Sequence, residues 1–166
     1  ENAESEEELD AEVKIFQNAL DFSNIIMVDQ NCAYCVEGDL VAKFGIKICE
    51  LETSKVYLFK EQSHPGRCIV AHKKHVGDMN ELTAEERAAY FEDVARVARA
   101  IMAAFHPDKV NYGAYGDTGH HLHFHLCPKY KDEFEWGGVF LMNPDKKYLT
   151  DAEYAEMIEK IKEHLQ

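Results

Sequence analysis

The most regular stretch of the chain is Gly119-His120-His121-Leu122-His123-Phe124-His125-Leu126-Cys127-Pro128, where histidines alternate with apolar residues. Successive side chains of a β-strand point to opposite faces. His121, His123 and His125 are therefore expected in a row on one face, with neighbours about 7 Å apart, and Leu122, Phe124 and Leu126 on the other. The apolar row predicts a core-facing side and the imidazole row an open one. Pro128, which has no N–H, is expected to end the ladder.

Two stripes have helical spacing instead. Tyr90, Phe91, Val94, Val97, Ala98, Ile101 and Phe105 predict one long helix, opened by a Thr83–Glu86 capping box and stopped by Pro107. Tyr154, Met157, Ile158, Ile161 and Leu165 predict a C-terminal helix over 150–165 behind a second capping box, Thr150–Glu153. A weaker stripe, Val13, Phe16 and Leu20, predicts a short helix in the acidic stretch 1–22, whose first residues read as disordered. Strand-like runs cover Val41 to Leu51 (Gly45 a candidate bulge), Val56 to Lys60, Arg67 to Ala71 and Lys109 to Gly116. Ser63-His64-Pro65-Gly66 and Gly116-Asp117-Thr118-Gly119 read as turns. Strands and helices in this order, within 166 residues, predict one domain over 23–166 behind an N-terminal extension.

Composition narrows the partners. Asp plus Glu outnumber Lys plus Arg by 31 to 18, a formal charge of −13. That argues against a nucleic-acid partner, which calls for a basic surface, but a small phosphorylated ligand needs only a local pocket. No run approaches the length of a membrane-crossing helix, so no membrane partner is expected. No secretory leader pattern is visible in these residues. Five scattered cysteines do not form a disulfide framework, and a reducing cytoplasm is the expected setting. Cys49, Cys68 and Cys127 read as small buried apolar residues.

The three imidazoles admit several chemistries. A neutral ring nitrogen can attack phosphorus while its neighbours orient it and bind the developing charge. Three rings can also hold a catalytic metal, or line the solvent face of an ordinary strand. Cys32-Ala33-Tyr34-Cys35 adds a Cys-x-x-Cys pair, for which zinc, redox chemistry and coincidence compete; the redox reading lacks a flanking βαβ pattern. The glycines at 116 and 119 would let backbone N–H groups approach an anion closely.

From His121 to Cys127 the chain matches His-φ-His-φ-His-φ-φ, with φ apolar, at every position. It resembles the histidine triad superfamily of nucleotide hydrolases and transferases, and the likeness runs from about Cys32 to about Tyr130. The resemblance implies an α+β fold with an antiparallel sheet of about five strands and one long packed helix, as a homodimer. It implies a nucleotide phosphate hydrolase or nucleotidyltransferase acting at the α-phosphate of a nucleotide-type substrate, such as a dinucleoside polyphosphate or a nucleoside phosphoramidate. A covalent nucleotidyl-histidine would form on His123, with His125 on the phosphoryl oxygens and the His121 carbonyl orienting His123. Thr118 matches the residue that reaches the leaving group, and Asn111 the asparagine that contacts phosphate. Gly116 belongs to the phosphate-facing turn. Arg67 stands where many members carry His, and reads either as a phosphate clamp or as a solvent-facing charge. Glu61 is the candidate for a ribose contact, and Trp136 lies in the segment that reaches the site in some members. Members with a Cys-x-x-Cys complete a structural zinc site, here Cys32, Cys35, His75 and His121. A non-catalytic nucleotide-binding protein and a His-ligated metallohydrolase are the alternatives.

Overall fold

The structure is a computed structural model that describes residues 29–165. The acidic extension 1–22 and its expected helix lie outside the described residues. Two single-turn helices come first, α1 (Ala33–Val36) and α2 (Asp39–Ala42). Three strands follow, β1 (Gly45–Glu50), β2 (Ser54–Phe59) and β3 (Cys68–His72). Then come the long helix α3 (Ala84–Phe105), strands β4 (Lys109–Gly113) and β5 (His123–Lys129), and helix α4 (Asp151–Glu163).

The five strands form one sheet in the order β1-β2-β3-β5-β4, antiparallel at every pairing. This is the expected α+β architecture. β5 arrives late in the chain but sits inside the sheet, with Ala71 opposite His123, Ile69 opposite His125, and Gly113 also opposite His125.

Alternation divides the sheet into two faces. Val56, Leu58, Val70, Phe124 and Leu126 form one core with Tyr90, Val94, Val97 and Ile101 of α3 and with Tyr154 and Ile161 of α4. Burying each aliphatic side chain fully is worth about 1.5–3 kcal/mol. Phe91 lies at the margin of the stripe, 39% exposed, its ring edge-on to Phe124 at 5.6 Å. On the opposite face Tyr57, Phe59, Ile69 and Ala71 pack with Tyr34 and Val41.

The caps follow the sequence with one change. Thr150 and Glu153 make a reciprocal capping box at α4. Thr83 Oγ1 accepts from the Glu86 amide at α3, but the Glu86 carboxylate turns to Lys74 Nζ at 2.8 Å. The helix ends at Phe105, and His106 in left-handed conformation leads into Pro107.

Four expectations are corrected. Val41 belongs to α2, so the first strand starts at Gly45. The bulge falls between Lys47 and Cys49 rather than at Gly45: the extra residue, Ile48, keeps its side chain in the core and leaves Lys47 and Glu50 outside as a 3.0 Å ion pair. Pro128 does not end β5. Pairing with β3 stops at Leu126, and beyond it β5 continues against β4 alone, where a residue without N–H is tolerated. The imidazole face is not open, because residues before β1 and after β5 fold over it. His121, His123 and His125 are all buried.

Candidate active site

The covered face encloses a cavity of about 750 Å³, a size typical of small-molecule sites. His121, His123 and His125 line it with Phe59 and Ile69 of the sheet; Asn31, Tyr34 and Phe44 come from the N-terminal side, Tyr115, Asp117, Thr118 and Gly119 from the loop before β5, and Met142 and Asn143 from the segment after it.

Each imidazole has one nitrogen facing an atom of unambiguous character, so each tautomer follows. His123 Nδ1 lies 2.7 Å from the His121 carbonyl oxygen, which can only accept. Nδ1 therefore carries the hydrogen and Nε2 keeps its lone pair. Nε2 has no hydrogen-bond partner among the described residues. His125 shows the reverse arrangement: its Nδ1 lies 3.1 Å from Arg67 Nη2, which can only donate, so the hydrogen is on Nε2. His121 Nε2 donates to the His72 carbonyl, leaving Nδ1 bare.

Burial lowers the proton affinity of all three rings. His121 is pushed down to about 4, chiefly by desolvation. His125 is pushed down to about 2, by desolvation and then by the Arg67 charge. His123 is also lowered by burial, against the hydrogen bond to the His121 carbonyl. With these tautomers the site presents a bare nitrogen, His123 Nε2, beside an N–H group, His125 Nε2–H.

The bare Nδ1 of His121 faces a different group. It lies 3.4 Å from Cys32 Sγ, 3.5 Å from Cys35 Sγ and 3.2 Å from His75 Nδ1, and Cys35 Sγ is 3.2 Å from His75 Nδ1. A tetrahedral zinc with bonds of about 2.0 Å to nitrogen and about 2.3 Å to sulfur separates its ligands by about 3.3 to 3.8 Å. The four donors therefore fit zinc nearly as they stand, and they are the residues expected from the sequence. His123 and His125 point their nitrogens elsewhere, so the three imidazoles do not converge on one ion. Burial and the Cys32 thiol push the Cys35 thiol up to about 12; a cation among the four would reverse that.

The other candidates divide. Thr118 is exposed on the cavity wall. Gly116, in the same turn, and Asn111, opposite Cys127 on β4, do not reach the wall. At Gly113, two residues on from Asn111 in the same strand, a Cβ would meet the Tyr115 ring at 2.6 Å and the Phe140 ring at 2.8 Å, so those rings pack against the strand there. Arg67 is not a solvent-facing charge. It is fully buried behind His125, with its guanidinium 4.2 Å from the Phe59 ring centre and 4.9 Å from that of Phe140. Glu61 does not face the cavity. Its carboxylate accepts from Ser63 N and Oγ and from Lys146 N, which pins the segment leading to α4. Trp136 lies outside the wall and is partly exposed.

Comparison with known proteins follows the same lines. The HIT domain family model matches residues 45–132, just over half of the chain. Protein hit of Bacillus subtilis (strain 168) is 29% identical over 123 residues, 70% of this chain and 83% of that protein. Adenosine 5'-monophosphoramidase hnt1 of Schizosaccharomyces pombe is 28% identical over 116 residues, 64% of this chain and 80% of that protein. Among solved structures, a histidine triad protein from Sinorhizobium meliloti superposes with a TM-score of 0.71 at 21% identity, covering 76% of this chain and 94% of that one. A zinc-bound histidine triad family protein from Mycobacterium smegmatis superposes with a TM-score of 0.58 at 22% identity, covering 81% and 92%. Strand order, the alternating histidines and the matched family model agree, and the chain belongs to the HIT domain family, the histidine triad proteins.

Proposed function

We propose that this protein is a nucleotide phosphate hydrolase or nucleotidyltransferase that works through a covalent nucleotidyl-histidine on His123. The observation that carries the reading is the tautomer of His123, whose Nε2 lone pair is free while its Nδ1 hydrogen is held by the His121 carbonyl.

Nε2 attacks the α-phosphorus, a P–N bond forms, and the bond from phosphorus to the leaving group breaks. The ring gains positive character, which the His121 carbonyl stabilises through Nδ1–H. Charge on the phosphoryl oxygens is met by the His125 Nε2–H. To Thr118, which lines the same cavity, we assign the hydrogen bond to the departing atom. Water or another acceptor then attacks phosphorus as it gives up a proton, which the departed leaving group takes; the P–N bond breaks, its electron pair returns to Nε2, and His123 is neutral again. Zinc held by Cys32, Cys35, His75 and His121 would have four protein ligands, and would supply a structural crosslink rather than Lewis-acid chemistry.

The yeast relative's name supports a nucleoside phosphoramidate as one substrate class; dinucleoside polyphosphates present the same α-phosphate. A reducing cytoplasm remains the proposed setting, and among the described residues no helix is long and apolar enough to cross a membrane. β4 is an edge strand carrying exposed Tyr112, and Val139 and Leu141 are exposed in the segment after β5; the expected homodimer stays part of the proposal, and sedimentation would report it.

The deciding experiment is mass spectrometry of the protein with adenosine phosphoramidate, diadenosine polyphosphates and a nucleotide sugar. A nucleotidyl adduct on wild type that is absent from His123→Gly supports the reading. Turnover that survives in His123→Gly overturns it.

A further inference from the structure

We propose that Arg67 is a positioning residue, which holds His125 in the one tautomer able to donate to the reacting phosphoryl group and ties the cavity wall at Met142 to the same point. This rests on the roles of His123 and His125 given above.

Arg67 immediately precedes β3, and two residues on, Ile69 stands opposite His125. The guanidinium is fully buried between Phe59 and Phe140, and the Glu61 and Glu135 carboxylates act on it only at a distance, without a direct ion pair among the described residues. Its direct partners are instead an imidazole, two carbonyls and, at 3.8 Å, the Met142 sulfur. Nη2 donates to His125 Nδ1 at 3.1 Å and to the Met142 carbonyl at 2.9 Å, and Nη1 donates to the Leu141 carbonyl at 3.0 Å. Nε is buried with no partner at all. An unpaired buried cation is costly and contributes little to stability by itself.

Its position explains what it does. A guanidinium has no acceptor, so the nitrogen beside it must be bare. The alternative tautomer would set Nδ1–H against N–H and would turn a lone pair toward the phosphoryl oxygens. Arg67 excludes that state, and its charge opposes a second proton on the ring. His125 therefore stays a neutral donor. The same guanidinium fixes residues 141–142, next to Met142 and Asn143 of the wall. Arg67 does not line the cavity, so the charge reaches substrate through His125 rather than by contact.

The test is nitrogen-15 NMR of histidine-labelled full-length protein, joined to steady-state kinetics of wild type, Arg67→Met and Arg67→Lys. Wild-type His125 is expected with bare Nδ1 and protonated Nε2. Arg67→Met is expected to show a mixture of tautomers, with kcat lower by about a hundredfold and KM changed far less. Arg67→Lys, which keeps a donor and the charge, is expected to recover part of kcat and the wild-type tautomer. A wild-type His125 protonated at Nδ1 overturns the proposal whatever the variants do. So does Arg67→Met with unchanged tautomer and kcat. If Arg67→Met does not fold, the wild-type and Arg67→Lys spectra decide. If wild type turns over no substrate, the nucleotide reading fails, and the tautomers still decide the part played by Arg67.

Discussion

The Tyr34 ring lies 5.1 Å from the His123 ring and 5.3 Å from the His121 ring, and Tyr34 itself sits between Cys32 and Cys35. The turn that carries two sulfurs of the Cys/His cluster thus also roofs His123. Cys35→Ser is expected to lose bound zinc and with it about 3 to 4 kcal/mol of stability when zinc stands 100- to 1,000-fold above its Kd. Turnover should fall too, since Tyr34 is no longer held over His123. Elemental analysis and thermal denaturation check this; a variant with an unmoved midpoint would refute it.

Thr118 predicts a dependence on the leaving group. A hydrogen bond to a developing charge is worth about 1.5–3 kcal/mol, or about 10- to 100-fold in rate. Thr118→Ala should slow cleavage of a phosphoramidate or a polyphosphate by that factor. A p-nitrophenyl ester, whose leaving group needs no such help, should be cleaved at nearly the wild-type rate. Equal losses on both substrates would remove Thr118 from the leaving-group contact.

Gly113 is required by space rather than by backbone angle. A Cβ at that position would come 2.6 Å from Tyr115 and 2.8 Å from Phe140. Gly113→Ala is expected to cost about 1–3 kcal/mol by overpacking, and to push both rings toward the cavity that Tyr115 lines. Chemical denaturation gives the first effect, and the KM for nucleotide the second.

Stability should fall with acid well above the carboxylate range. Burial holds His64, His72 and His125 below the ordinary histidine value, His125 at about 2. In the unfolded chain the same groups titrate near 6.5. Below that pH the unfolded state binds more protons, so stability present above pH 6.5 is lost as pH falls. For His125 the loss continues down to about pH 2. Each such histidine contributes up to about 1.4 kcal/mol per pH unit. Denaturation midpoints at pH 7.5, 6.0 and 5.0 measure the slope, and His125→Asn should make it shallower.

The histidine strand and both long helices were legible because their signals are local. Alternation from His121 to Leu126 and the two threonine caps need no knowledge of distant residues. What covers the imidazole face was not legible. Phe140-Leu141-Met142-Asn143 has no period, and its place is set by Arg67, 74 residues away at Leu141. The Glu61 carboxylate likewise holds Lys146, 85 residues on. For Arg67 a signal existed in parity. It lies two residues before Ile69, in an otherwise apolar run, so its side chain shares the face that bears the histidines. Asn31 and Phe44 of the wall had no comparable marker.

The strand order has a consequence for how the protein is made. β1, β2 and β3 come first in the chain and pair with one another, which leaves one edge of β3 for a later strand, and β4 pairs with none of them. Only when β5 emerges can it enter between them and join the two parts into one sheet. His123 travels on that closing strand, and the wall at Met142 comes later still. A truncated or stalled chain therefore has an exposed sheet edge and no assembled site. The cavity with its row of imidazoles arises only with the completed fold.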